Sequence, residues 1–207
     1  MANNADFLKI VIKDVTFHWP RLDQPYRYNS AEKRTEACSA GAPNAGYSIA
    51  FDMPTDEAKK LHGELKKHYQ AAKARNPKLP EFTSLFGMKR DDETGTVRFT
   101  AKKRAMSNDG KVNKPPRVVD GALKDLEDKA IWSGSKGSLR LLAFPTTDPD
   151  GKGGISLLLD VVQVTDAQYG SDGIEDDFDV VAPAARSMDD LANAPAQEAN
   201  VPEDAEW

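Results

Sequence analysis

The chain has 207 residues with 28 Lys and Arg against 33 Asp and Glu, a net charge of −5 that averages two segments of opposite sign. Residues 171–207 hold 11 acidic residues against Arg186 alone, −10, which leaves 27 basic and 22 acidic residues on residues 1–170, or +5. Cys38 is the only cysteine, which excludes an intramolecular disulfide and a cysteine-based metal cluster, and no apolar run approaches the roughly 20 residues of a membrane-spanning helix. Met1–Asp6 has neither the basic start nor the apolar core of a secretion leader, so a reducing, cytoplasmic location is expected, with no membrane partner.

Leu8, Ile10 and Ile12 alternate with Lys9, Val11 and Lys13, and Tyr47, Ile49, Phe51 and Met53 alternate with Ser48, Ala50 and Asp52. Both stretches read as half-buried strands. Between them Leu22–Gly46 is polar, with Trp19, Tyr26 and Tyr28 at its start and Gly, Ala, Pro and Asn at its end, and reads as an excursion from a sheet. Pro54 and Thr55 open a helix, with Thr55 as N-cap, Asp56 and Glu57 in the first turn, and Lys73 and Arg75 near the end. Ala58, Leu61, Leu65, His68 and Ala72 fall on one face of it.

After Pro77 and Pro80 a hairpin is expected, Leu85–Arg90 and Thr96–Ala105 joined through Asp91–Gly95. On its second strand Val97, Phe99 and Ala101 point one way and Arg98, Thr100, Lys102 and Arg104 the other, giving an apolar and a cationic face. Asn108-Asp109-Gly110 turns the chain, and Pro115-Pro116 precedes a short Val118-Val119 strand. A last hairpin pairs Ser138–Phe144 with Ile155–Val164, in which Leu157, Leu158 and Leu159 suggest burial on both faces. Many short strands with one inserted helix predict a small, mainly β barrel.

Catalytic chemistry finds little support in these residues. His62 and His68 are six apart on the helix and do not share a face, and Gly134-Ser-Lys-Gly137 lacks the spacing of a phosphate loop. Asp148-Pro-Asp150-Gly151 begins like a calcium loop but has Leu159 where a bidentate Glu would fall. No metal or cofactor is therefore expected, although Asp91 and Asp92 leave open a metal-dependent nuclease.

Basic density says more. Arg98–Arg117 holds seven basic residues, Arg98, Lys102, Lys103, Arg104, Lys111, Lys114 and Arg117, against Asp109 alone. Such a run is either an electrostatic track for a phosphate backbone or a solvated edge strand kept soluble by lysine. Trp19, Tyr26 and Tyr28, beside Arg21 and Arg27, are either platforms for unpaired bases or a lid over the core, and Trp132 is core or rim.

In order along the chain, Phe17–Pro25, Tyr47–Phe51, the helix from Thr55, Pro115-Pro116-Arg-Val-Val-Asp120, Trp132-Ser-Gly134-Ser-Lys-Gly137, and Gly154-Ile155 through Val162-Gln163-Val164 resemble the bacteriophage-encoded single-stranded-DNA-binding proteins. The resemblance implies a five-stranded OB-fold barrel over residues 1–170, sequence-tolerant binding of single-stranded DNA, and a disordered acidic tail over 171–207. In that family the tail occupies the DNA groove when DNA is absent and contacts replication enzymes. Two features depart from the family: Trp207 stands where phenylalanine is usual, and Ala182–Pro202 is rich in Ala and Pro.

The expected DNA contacts are Trp19, Arg21, Tyr26, Tyr28, Arg98, Lys102, Lys103, Arg104, Lys111, Lys114, Arg117 and Lys136. Glu175, Asp176, Asp177, Glu203, Asp204, Glu206 and Trp207 are the expected partner-binding tail residues, meeting a DNA polymerase, helicase or primase, or nuclease. A homodimer is compatible with this reading, and a DNA mimic that inhibits a host factor is the remaining alternative.

Overall fold

A computed structural model describes residues 7–91 and 94–169. Asp92, the boundary expected at residue 170 and the acidic segment 171–207, with Glu175, Asp176, Asp177, Glu203, Asp204, Glu206 and Trp207, lie outside the described residues.

Among the described residues nine strands and one helix follow in the order β1 (Leu8–Asn29), β2 (Arg34–Ala37), β3 (Gly46–Pro54), α1 (Thr55–Arg75), β4 (Phe82–Leu85), β5 (Met88–Asp91), β6 (Thr96–Arg104), β7 (Arg117–Val119), β8 (Lys136–Thr147) and β9 (Gly153–Asp166). Five of them close on themselves: β8 pairs β1, β1 pairs β3, β3 pairs β6, β6 meets β9 in parallel at Lys102 and Leu158, and β9 pairs β8. This is the small β barrel expected from the strand pattern, with the five strands that the resemblance implies.

Closure depends on β1, which serves two neighbours in turn. Leu8–Thr16 pairs with β8 and Phe17–Tyr26 with β3. The register shifts on either side of this change of partner, between Ile12 and Val15 and between His18 and Arg21, and Asp14 and Trp19 within those shifts have left-handed backbones, with φ of 54° and 45°. Bulges of this kind bend a strand sharply enough to turn a barrel corner. Pro20 and Pro25 fall within the two later shifts, where a missing N–H interrupts the ladder least.

The strand faces follow the alternation in the sequence. Phe17, Ile49, Phe51, Phe99, Ala101, Leu139, Leu141 and Leu159 are fully buried, or nearly so, and the Phe51 and Phe99 rings stack at 5.5 Å. A second small cluster of Ala45, Tyr47 and Ala105 lies against Cys38, Ala40 and Ala42 and ties the β1–β2 hairpin and its following loop to the barrel.

Five local expectations are corrected. Leu22–Gly46 is not simply a polar excursion, because Leu22 is fully buried and β1 continues to Asn29, where it folds back on β2 with Tyr26 opposite Ala37. Thr55 is not the N-cap; Pro54 holds that position, and the Thr55 hydroxyl donates instead to the Gly95 carbonyl at 2.6 Å. Tyr69, not His68, completes the buried stripe of α1. Both fit helical spacing, and the larger apolar surface takes the core position, with the Tyr69 hydroxyl donating to the Pro80 carbonyl at 2.9 Å.

Leu85–Arg90 is interrupted at Gly87, whose φ of 82° lets the chain leave β4, paired with β9, and join β6 as β5. On β9, Leu157 and Leu159 are buried while Leu158 is only half-buried. A register shift opposite Arg140 and Leu141 moves the inward side from Ile155, Leu157 and Leu159 to Val162 and Val164. The apolar run therefore records a change of parity rather than two buried faces.

Candidate nucleic-acid interface

Three neighbouring strands carry the candidate interface. Arg21 of β1 stands opposite Ser48 of β3, which stands opposite Lys102 of β6, and Tyr26 stands opposite Gly46, which faces Arg104. A groove of about 440 Å³ across these strands is lined by Arg21, Tyr26, Tyr28, Lys102, Lys103 and Arg104. Half of the twelve expected contact residues are thereby brought to one concavity. A smaller depression of about 310 Å³ adjoins it, with Arg21 and Tyr26 common to both, and adds Trp19, Trp132 and Ser133.

Within the groove the cations differ in how committed they are. Lys102 is exposed and has no ion partner among the described residues, and Arg21 lies over the Tyr26 ring at 5.9 Å. Arg104 donates to the Asn108 side chain at 3.0 Å and Lys103 to the Pro115 carbonyl at 3.5 Å, both neutral acceptors that leave the charge available. Tyr26 donates to Asp23 at 3.1 Å; burial, with the Asp23 charge adding, holds its phenol above the ordinary 10.0, so it stays protonated.

Other expected contacts lie outside this concavity. Arg117, on β7 against β9, is held by Asp125 at 2.7 Å. Lys111 pairs with Asp109 at 3.4 Å in the turn beyond β6, and Lys114 is exposed on the same loop. Lys136 is exposed at the start of β8, opposite Thr16 and Asp166.

Arg98, also an expected contact, is the most heavily engaged of these cations. It faces outward as expected, but its guanidinium makes a bidentate pair with Asp52, Nε to Oδ1 at 2.7 Å and Nη2 to Oδ2 at 2.8 Å, and lies 5.0 Å from the Trp19 ring centroid. His18 Nε2 completes the cluster at 2.9 Å from Asp52 Oδ2. The Arg98 hydrogen bonds, with His18 assisting, hold the Asp52 carboxyl below its ordinary 3.8 and raise Arg98 in turn.

The aromatic residues stand out from the surface. Trp19 is 55 % exposed, Tyr28 64 % and Trp132 59 %. Trp132, open in the sequence reading, is therefore a rim residue, and its loop is stapled to β1. Trp19 N–H donates to Ser133 Oγ at 2.8 Å, Gly134 N–H to the Phe17 carbonyl at 2.9 Å, and Phe17 N–H to the Ser135 carbonyl at 2.8 Å. Ser135, fully buried, donates through its hydroxyl to the Trp132 carbonyl at 2.8 Å and accepts from Gln168 N–H at 2.9 Å.

Asp52, His18 and Ser133 were not among the sequence candidates. Asp52 was legible as an outward residue by parity with Phe51 and Met53, but its partner depends on the β3–β6 register, which places it opposite Arg98.

Among the described residues no group of three or more His, Cys, Asp or Glu could hold a metal ion. Asp91 accepts from Thr94 N–H at 3.3 Å and Asp148 from Lys152 N–H at 2.7 Å, both in turns. No helix among the described residues is long and apolar enough to cross a membrane.

The architecture is the barrel of the bacteriophage single-stranded-DNA-binding proteins, and at the level of fold the resemblance read from the sequence holds. The single-stranded DNA-binding protein of bacteriophage Enc34 in complex with ssDNA superposes with a TM-score of 0.55 at 14% identity, over 80% of this chain and 93% of that one. The single-stranded DNA-binding protein gp2.5 encoded by bacteriophage T7 gives 0.53 at 20% identity, over 84% and 99%. A C-terminal truncation of the Enc34 protein gives 0.53 at 17%, over 76% and 85%. No protein family and no curated sequence matches the chain.

Proposed function

We propose that this protein binds single-stranded DNA in the groove across β1, β3 and β6 and coats it during replication or recombination, making and breaking no bond. The observation that carries the reading is the meeting of free cations and outward aromatic rings in one track: Arg21, Lys102 and Arg104 beside Tyr26 and Tyr28, continued by Trp19. Phosphates would be neutralised by the cations, and unpaired bases would stack on the rings, at about 1–3 kcal/mol each. β3 and β6 are the second and third strands of the barrel, the face on which OB-folds take oligonucleotides. A relative of the same fold is bound to ssDNA. Lys103, Lys111, Lys114 and Lys136 would extend the track.

Residues 171–207 would compete for the same groove. Their −10 beside the +5 of residues 1–170 favours association, and the tether raises the effective concentration. Glu175, Asp176, Asp177, Glu203, Asp204 and Glu206 would stand in for spaced phosphates. Trp207 would supply an apolar anchor for replication partners such as a polymerase, helicase, primase or nuclease.

The test is a titration of labelled single-stranded and duplex oligonucleotides with magnesium present, for the full chain and for residues 1–170. Retardation without cleavage, single strands favoured, and tighter binding by the truncated form at low salt are expected. Cleavage would overturn the non-enzymatic reading, and equal affinity of both forms at every salt concentration would remove the competition.

A further inference from the structure

The depression beside the groove has features that phosphate binding does not use. Two indoles, from β1 and from a loop more than a hundred residues later, border the same cavity. Each is more than half exposed, an arrangement that leaves large apolar rings in water unless something covers them. The backbone at each is tied into the fold. Trp19 has a left-handed backbone, φ 45°, a costly conformation for an aromatic residue, and its N–H is fixed by Ser133 Oγ. Trp132 sits on the loop stapled through Ser133, Gly134 and the buried Ser135.

An acidic residue on the strand face that carries the proposed DNA track is the second anomaly. Asp52 repels phosphate, yet it lies by parity on the same face of β3 as Ser48, the residue opposite Arg21 and Lys102, at the edge of a neighbouring cavity that it lines with His18. Its two oxygens are both occupied by Arg98, with His18 on one of them, and the Arg98 guanidinium lies over Trp19. A planar guanidinium held at both ends of a carboxylate cannot swing away to a phosphate without stripping Asp52 Oδ1 of its partner and leaving His18 alone on Oδ2. The pair therefore backs one face of the Trp19 ring, while the ring also borders the cavity shared with Trp132, so a base is received on the side toward Trp132.

We propose that Trp19 and Trp132 wall a subsite for one unpaired nucleobase of the bound strand, and that Asp52 is its positioning residue, holding Arg98 against the far face of the Trp19 indole. The inference rests on the single-strand-binding reading above. It has an unusual sign. Counting charge alone, removing an acid near a cationic track tightens DNA binding. If Asp52 acts through Trp19, removing it weakens binding, because the ring loses its backing and must be ordered by the base itself.

The experiment measures binding of a labelled poly-pyrimidine strand by the full chain at fixed salt and over a salt series, for Asp52→Asn, Trp19→Ala, the double variant and Trp132→Ala. Trp19→Ala and Trp132→Ala should each weaken binding by about 5- to 150-fold with the salt slope unchanged, the size of one lost stack. Asp52→Asn should weaken binding several-fold in the parent and have no such effect in the Trp19→Ala background, where its target is missing. Should Asp52→Asn fold poorly, Ser133→Ala, on the surface, asks the same question from the other side of Trp19 and should show the same dependence on that ring. Tighter binding by Asp52→Asn in both backgrounds would make the carboxylate a simple repulsive charge and overturn its positioning role. Unchanged affinity in Trp132→Ala would remove the subsite. Loss of affinity confined to Arg21 and Lys102 variants would leave the groove reading intact and refute this one alone, whereas no single-strand binding by the parent chain would refute both.

Discussion

If phosphates follow the groove, salt dependence should report on free cations and ignore paired ones. Arg21 and Lys102 stand on neighbouring strands across Ser48, and neither has a carboxylate partner among the described residues. Arg117 carries the same charge but is held by Asp125 at 2.7 Å. Each phosphate neutralised on a single strand contributes about 0.7 to the slope of log K against log salt. The double variant Arg21→Ala/Lys102→Ala should therefore bind with a slope shallower by about 1.4, and between 50 and 200 mM salt it should lose about sevenfold less affinity than the parent. Arg117→Ala, which removes a charge already neutralised, should leave the slope unchanged. Fluorescence anisotropy of a labelled strand across a sodium chloride series measures all three. If Arg117→Ala flattens the slope as much as the double variant does, the phosphate path runs over β7 and β9, and the groove has been misplaced.

Tyr28→Ala, at an exposed site, should weaken single-strand binding by about 1–3 kcal/mol with the melting temperature unchanged, as read by parallel titration and thermal melt. Gly137→Ala should destabilise the barrel by about 3 kcal/mol, because a Cβ there would lie 1.9 Å from the Gln163 carbonyl and 2.9 Å from Phe17; Gly121→Ala, with open space around it, is the control in the same denaturant series. Asp52 titrates below its ordinary 3.8 when folded, so the unfolded chain binds its proton more readily. Its contribution to stability is complete above about pH 5 and is lost as pH falls through the depressed value; the melting-temperature gap between the parent and Asp52→Asn should close below that point.

What was legible in the sequence was parity. Phe99 inside and Lys102 outside, Phe51 inside and Asp52 outside, follow from strand alternation alone, and the barrel follows from the number and order of such strands. What was not legible was register and partner. Arg98 and Lys102 share a face and a strand, yet only Arg98 is opposite a carboxylate, and nothing local to either residue records that difference. The same limit explains Trp132. Its exposure depends on hydrogen bonds from its loop to Phe17, Trp19 and Gln168, contacts distant in sequence and carried mostly by the backbone. Tyr69 displaced His68 for a related reason, since helical spacing admits both and only the volume of the core decides between them.

On the proposed reading, the division between free cations and outward rings would also separate affinity from strand selectivity. A duplex presents phosphates but hides its base faces in the stack, so Arg21, Lys102 and Arg104 have something to contact there whereas Trp19, Tyr28 and Trp132 do not. Replacing a cation should weaken single-strand and duplex binding together, leaving their ratio nearly fixed. Replacing Tyr28 by Ala should weaken only the single-strand complex, by about 1–3 kcal/mol, and the ratio should fall by about 5- to 150-fold. Competition between the two forms of one oligonucleotide measures the ratio directly, without the need for absolute affinities. If Lys102→Ala changes the ratio and Tyr28→Ala does not, the rings are not stacking platforms, and the preference for single strands must come from the shape of the cationic track itself.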